Sequence, residues 1–437
     1  MFRVFRDAWK DDSLRKKILF TLFIIIIYRI GCVIPVPFLN AQVMADWMNS
    51  SGGNTNFLQY FDALSGGAMS KATIFALAIQ PYINASIIVQ LLTYAIPPLE
   101  RLSKEGQEGR KTINKITAYT ALGISLLMSF FYYKTMKNAG AVIYTDGFDG
   151  IFAMIVIIAA FSAGASLVVW LGNELTEKGI GNGISLILFA GIVARGPQEI
   201  LGLLNLVRTE AGTYAYLIPL TLVLFIAMIT FIVLMNEAER RIPVQYAKRV
   251  VGRKQYGGQN THIPIKVIMS GVMPIIFAMS FMSIPTTLTL FITPTNAETF
   301  WMKLYRGFIS VFRYDSPWYC VIYFILIIAF NYFYVSMQYN PIEIANSLRQ
   351  NNGGIPGIRP GKPTSDFIQR ILSKLTLFGA ICLGIIAIIP PLLNMFIPEA
   401  NLALGGTSIL IIVSVALETV RTLESQLMMR HHKGFLE

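Results

Sequence analysis

The run ILFTLFIIIIYRIGCVIPV, Ile18–Val36, decides what kind of chain this is. A bilayer core is about 30 Å thick and needs about 20 apolar residues in helical form. The run meets that length, and Arg29, its only charge, lies near the end where a long side chain can snorkel to the surface. It is too long for the apolar region of a signal peptide and lacks a small-residue cleavage site, so it is expected to be a permanent span.

Working outward, nine further runs have the same character: about 72–96, 113–133, 151–171, 183–203, 216–234, 265–291, 318–338, 372–393 and 404–417. Composition agrees. Of 437 residues, 54% are hydrophobic and 14% charged, against about 25% charged in soluble domains. Three cysteines, Cys32, Cys320 and Cys382, do not make a disulfide scaffold. The expected fold is an all-α polytopic membrane protein. An odd repeat unit turns the second half upside down in the bilayer, so ten transmembrane helices are expected as two inverted five-helix halves, 1–206 and 207–437. The second run of each half is broken by Gly or Pro: Gly66, Gly67 and Pro81 in one, Gly271, Pro274 and Pro285 in the other. Interrupted helices at matching positions point to a working site.

Positive charge sets the orientation. With the N-terminus inside, the inner connections hold 27 of the 36 Lys and Arg residues, so both termini are expected in the cytoplasm. Two basic connections, about 236–264 and 338–366, are longer than a reversal of the chain needs. Such loops suit an acidic partner, RNA or an acidic protein surface.

Chemistry-bearing motifs are missing. No carboxylate lies centrally in a span, and His262, His431 and His432 fall in loops, which argues against a proton relay. There is no metal-ligating or cofactor motif. Gly357–Thr364 (GIRPGKPT) has the wrong spacing for a phosphate loop, and Gly179–Gly183 (GIGNG) is expected to be a turn entering the next span. The expectation is a protein that is not an enzyme and uses no cofactor.

Between the first two spans, Phe57, Phe61 and Leu64 recur at helical spacing, predicting a short amphipathic helix over about 56–70, with Gly66-Gly67 as a hinge. It is too short to cross the bilayer; it either lies on the membrane surface or folds back into a cavity. Aliphatic pairs one turn apart, Ile83/Ile87 and Ile184/Leu188, read by spacing alone as packing or lipid-facing residues. Gln80, Asn84 and Gln90 are polar groups that can satisfy backbone freed near Pro81 or bond another helix.

Several blocks carry a resemblance: Ser65–Ala76 (SGGAMSKATIFA) with Gln80–Ile88 (QPYINASII), Glu177–Ser185 (EKGIGNGIS), Arg240–Arg249 (RRIPVQYAKR), His262–Val267 (HIPIKV), Gly357–Gly361 and Gly405–Ser408. In this order they resemble the SecY family, the central subunits of the bacterial protein-conducting channel, over essentially the whole chain. The resemblance implies that 56–70, including Phe57, Phe61, Leu64, Gly66 and Gly67, is a plug. It implies a pore ring of Ile83, Ile87, Ile184, Leu188, Ile276 and Ile411, which closes by dewetting and yields to a passing chain. It implies a lateral gate between spans two and seven, with Asn84, Ile88, Gln90, Pro274, Ser280 and Ile284. It also implies docking of a ribosome, through RNA and protein, or of the motor ATPase SecA on Arg240, Arg241, Lys248, Arg249 and Arg359. Many relatives carry Asn where this chain has Ile268, and isoleucine where it has Leu188.

The functional expectation is a passive channel that moves unfolded preproteins across the plasma membrane and releases hydrophobic segments sideways into lipid, working with two small subunits, SecE and SecG. The rivals are an inverted-repeat secondary transporter for a small solute and a non-transporting scaffold.

Overall fold

The computed structural model describes residues 2–50, 62, 64–209, 217–246, 249–251, 254–256, 260–289, 300–312, 316–396 and 406–431. In chain order the helices are α1 Phe2–Lys10, α2 Asp12–Gly31, α3 Ala41–Ser50, α4 Gln80–Ala95, α5 Pro97–Lys104, α6 Gln107–Asn138, α7 Gly147–Lys178, α8 Gly183–Thr209 and α9 Leu217–Glu237. Strands β1 Glu239–Tyr246, β2 Arg249–Val251, β3 Lys254–Tyr256 and β4 Asn260–Lys266 follow. The chain continues through α10 Met273–Thr289, α11 Phe300–Val311, α12 Pro317–Gln338, α13 Pro341–Gln350, β5 Gly353–Gly354, α14 Lys362–Phe396 and α15 Gly406–His431.

Ten of these helices, α2, α4, α6 to α10, α12, α14 and α15, fall on the ten apolar runs, and they are the spans. Among the described residues five helices are long and apolar enough to cross a membrane by themselves, and the bent pair α4–α5 makes a sixth. The remaining spans are short or carry charge at an end. Local chemistry sets several boundaries. Asp11 caps α2 by accepting from the N–H groups of Ser13 and Leu14 at 2.9 and 3.3 Å, filling orphan donors of the first turn. The expected turn before α8 is present: Gly181 sits at φ +70°, and Asn182 accepts from Ile184 N–H at 3.1 Å.

The second run departs from expectation. Only its later part is helical, because Pro81 lies in the first turn of α4, where a missing N–H costs nothing. The stretch before it, 65–79, is a succession of turns packed inside the protein, with Ala72 and Ala78 at φ +49° and +45°. Its backbone is satisfied by pairing with the chain after α2: Val36 N–H donates to Ala72 C=O at 3.0 Å, and Ile74 N–H to Ile34 C=O at 3.1 Å. Irregular backbone at this depth survives only where protein covers it. The run's other end bends by 101° into α5, since Ile96, preceding Pro97, is held extended at φ −110°, ψ 112°.

The helical plan also carries a small sheet that the residue pattern did not announce. In the first long basic connection β1 and β4 pair antiparallel, Glu239 opposite Lys266 through Gln245 opposite Asn260. β5, from the second connection, adds to the other edge of β1 through Gln245–Gly354 and Tyr246–Gly353. Ile242, Val244 and Ile265 turn inward on one cluster with Val335, Leu348, Ile368 and Leu372, so the sheet rests on the ends of α12 and α14. β1 and β4 of the first connection and β5 of the second thus form one sheet.

Packing within the halves follows one order. Span two packs on three, three on four and four on five; seven packs on eight, eight on nine and nine on ten. The halves meet where α1 packs on α15 and along two seams between the spans. One joins α8 to α9 and α15; the other, sparser, joins α4 to α10.

Close approach of the irregular segment to α7 depends on Gly164, where an added Cβ would fall on the Ile74 carbonyl. Gly164→Ala is expected to destabilise the protein by about 1–3 kcal/mol through overpacking, seen as a lower midpoint in thermal unfolding in detergent. Gly123→Ala, which meets open space, should leave the midpoint unchanged or raise it.

Candidate pore, plug and gate

Residues four apart on a helix share a face, so α4 carries Ile83 and Ile87 on one side and α8 carries Ile184 and Leu188. The fold turns both pairs toward the same point and brings Ile276 from α10 and Ile411 from α15 to meet them. Ile83, Ile87, Leu188 and Ile411 are buried in one cluster, and Ile184 and Ile276 are half-buried against it. Six aliphatic side chains from four helices, two in each half, thus converge. Four of the six, Ile83, Leu188, Ile276 and Ile411, line a cavity of about 10 Å³ together with Leu64, Gln80, Met279 and Ser280. A water needs about 10–15 Å³ and several polar partners; the cavity is near that lower limit, and Gln80 and Ser280 are the polar side chains along it.

Leu64, the lining residue from outside the spans, belongs to the segment expected to be a plug. Phe57 and Phe61 lie outside the described residues. Gly66 and Gly67 sit at φ +71° and +82°, a region open to glycine and costly for other residues, and Gly67 N–H closes the turn onto Asp62 C=O at 2.8 Å. Neighbouring helices hold this turn by its carbonyls. Tyr28 donates to Ser65 C=O at 3.3 Å, and Tyr132 donates to Met69 C=O. Arg29, expected to snorkel, instead donates from Nη1 to Gly66 C=O at 3.4 Å; a carbonyl freed by the tight turn sits closer than the membrane surface. Asp62 is buried, accepts from Ser70 N–H at 2.7 Å, and pairs with Arg195 of α8. Nothing in the spacing of Asp62 or Arg195 marked them.

At the sparser seam α4 lies against α10. Pro274 and Ser280 are buried, and Ile88 is 42% exposed. The Ile284 side chain lies outside the described residues. Asn84 turns toward span three, its Nδ2 reaching Met128 Sδ at 3.9 Å, and Gln90 Nε2 bonds Ser86 Oγ at 3.2 Å. The carbonyl oxygens of both side chains are buried without a partner. An aromatic contact that sequence reasoning missed spans this seam: Tyr94 meets Phe333 of α12 edge-on, centroids 5.8 Å apart.

On the sheet, Arg240 is exposed, and Arg241 Nε lies 2.6 Å from Glu239 Oε1. Arg249 starts β2, and Lys248 lies outside the described residues. Arg359 is exposed on a turn with Gly357 at φ +80° and Gly361 at +104°, and Thr364 Oγ1 ties it down by donating to Arg359 C=O at 2.9 Å. Burial, with Arg421 beside it, holds the Lys266 ammonium below the usual lysine range.

A ten-helix membrane protein whose two halves meet in an apolar cluster, with the turn at Leu64–Gly67 packed against it, has the form of a channel. The SecY family model matches residues 73–420, and the protein translocase subunit SecY of Mycobacterium bovis is 41% identical over all of both chains. The chain belongs to the SecY family. Among solved structures it resembles one that describes the SecY plug domain stabilising the closed state of the translocation channel and maintaining a membrane seal; the TM-score is 0.65 at 18% identity, over 95% of this chain and 93% of that one. It also resembles Sec61 in the canine ribosome-channel complex from the endoplasmic reticulum, with a TM-score of 0.60 at 17% identity, over 95% of this chain and 93% of that one. These likenesses carry the fold.

A polar side chain in the waist would give water a partner there. Ile83→Asn and Ile411→Asn are each expected to raise ion conductance of the idle channel by about tenfold, the effect of about 1.4 kcal/mol off the barrier. Planar-bilayer recordings of the purified channel check this, and unchanged conductance in both variants would remove these residues from the seal.

Proposed function

We propose that this SecY-family chain is the channel subunit of a protein translocase, conducting unfolded preproteins through the waist and passing hydrophobic segments sideways into lipid. The observation that carries the reading is the convergence of Ile83, Ile87, Ile184, Leu188, Ile276 and Ile411 from both halves onto one closed waist. Soft aliphatic side chains exclude ions while touching one another, and they deform around a chain of changing width. The solute-transporter alternative is not favoured: the relatives are translocase subunits.

The plug covers the waist at rest. The seam between α4 and α10 serves as the lateral gate, with Ile88, Pro274, Ser280 and Ile284 along it and Asn84 and Gln90 on its α4 side. Asn84 turns toward span three and Gln90 bonds Ser86 of its own helix, so the closed seam itself is held by apolar groups such as Ile88. A segment entering there is exposed to lipid and leaves the pore when it is apolar enough. The halves 1–206 and 207–437 move about the denser seam at α8, α9 and α15.

The joined sheet and Arg359 turn make the docking face, where Arg240, Arg241, Lys248, Arg249 and Arg359 meet acidic or phosphate-bearing surfaces. Ribosomal RNA and protein suit that charge, and the ribosome-bound state of the Sec61 relative supports this choice; the SecA motor is the second partner. SecE and SecG complete the complex. The location is the plasma membrane, both termini cytoplasmic, as the distribution of basic residues favours. The chain does no catalysis of its own, and its partners supply the driving force.

Tethering the gate tests this. In a variant whose native Cys32, Cys320 and Cys382 are replaced, Ile88→Cys with Ile284→Cys, or a neighbouring pair on α4 and α10, should oxidise to a disulfide, which needs Cα atoms within about 7 Å. Oxidation should block preprotein translocation in proteoliposomes by more than about tenfold, and reduction should restore it. Full crosslinking with undiminished translocation would refute the gate.

A further inference from the structure

We infer that α8 carries a latch for the plug, a glycine seat at Gly191 and an ionic clasp at Arg195, and that this latch sets how readily the idle channel opens. The inference rests on the channel reading above and adds to it a specificity-setting pair. Two independent contacts support it. Gly191 and Arg195 are one helical turn apart and so share a face of α8. At Gly191 the plug backbone comes so close that an added Cβ would lie 2.5 Å from Leu64 C=O, and from the other side a Cβ on Gly66 would lie 3.0 Å from Gly191 C=O. One turn further on, Arg195 Nη1 pairs with Asp62 Oδ2.

The burial of the two charges differs in a useful way. Asp62 is 1% exposed, while the Arg195 side chain is 20% exposed. A carboxylate so deeply covered cannot stay charged without partners, and here it has two, Arg195 and the Ser70 N–H at 2.7 Å. A buried ion pair adds little over an apolar substitute, but removing one member strands the other and is strongly destabilising. The clasp therefore makes the seated plug a definite state. It holds while both charges meet, and it offers no stable half-released position. Once the plug leaves for a water-filled vestibule both groups are rehydrated, so the open state bears their separation. A signal segment opens the channel only when its gain exceeds the loss of seat and clasp, so the latch sets the stringency of substrate choice.

The test uses the channel reconstituted with its partner subunits in proteoliposomes. Iodide flux through the idle channel is one readout. Uptake of two preproteins, one with an intact signal and one with a shortened apolar signal core, is the other. Asp62→Asn, Arg195→Gln and Gly191→Val should each raise idle flux by about tenfold, equivalent to about 1.4 kcal/mol, and admit the short-signal preprotein. Intact-signal uptake should stay at the parent level. Asp62→Asn combined with Arg195→Gln should leak less than the product of the two single effects, because no stranded charge remains. Arg195→Lys, keeping the charge, should stay tight. Should Asp62→Asn fail to accumulate, the contrast of Lys with Gln at Arg195 decides the matter. Unchanged idle flux in Arg195→Gln, equal leakage in Arg195→Lys and Arg195→Gln, or fully multiplicative leakage in the double variant would overturn the latch. Failure of the parent channel to take up the intact-signal preprotein would instead refute the channel reading, while the idle-flux comparison would still decide the latch.

Discussion

A conduit through a membrane has to be shut by side chains that water does not wet, and in the reading proposed for this chain that demand falls on the few aliphatic groups where the two halves touch. Burying an isoleucine or leucine is worth about 1.5–3 kcal/mol against water. On the proposed reading a flooded waist would forgo several such contributions, which favours closure without a substrate. The same contacts join α4 and α8 of one half to α10 and α15 of the other. The seal and the cohesion of the halves are one interaction. The proposed side exit lies along the sparser seam, where the halves hold each other least.

The rest of the architecture keeps that seal in place without blocking it. Chain that is not helical runs between the first two spans to the proposed plug, and its peptide groups must find partners at membrane depth. The structure meets this with a short pairing between 34–36 and 72–74, with Tyr28, Arg29 and Tyr132 donating into the plug turn, and with small residues where backbones cross, Gly164 and Gly191 among them. Outside the spans, the β1–β4–β5 sheet braces two long basic loops against one apolar cluster. Exposed arginines are thereby presented on a rigid base.

Much of this was legible in the residues. The ten spans followed from apolar length, since a single 20-residue segment satisfies its own backbone in lipid only as a helix, and Pro81 and Gly66-Gly67 marked the broken span. The waist was not legible from spacing. Ile83 and Ile87 stand one turn apart like any lipid-facing pair, and only the resemblance to SecY singled them out; the fold then placed them beside Leu188 and Ile411. The sheet was missed although Ile242 and Val244 alternate with polar neighbours, because a basic loop between spans gives no hint of what its apolar face rests on. Asp62 and Arg195 were missed because a partnership across 133 positions has no local signature, and Arg29 because a freed carbonyl is invisible until the turn is formed.

Whether the waist is the path of the polypeptide is best tested by trapping a preprotein in mid-passage. A photoreactive residue would be placed in turn at Ile83, Ile276 and Ile411, and at Ile155, which faces outward with 57% exposure. A preprotein stalled by a folded domain at its trailing end should form adducts with all three waist positions and none with Ile155. Adducts that avoid the waist, or that form equally at Ile155, would contradict the account.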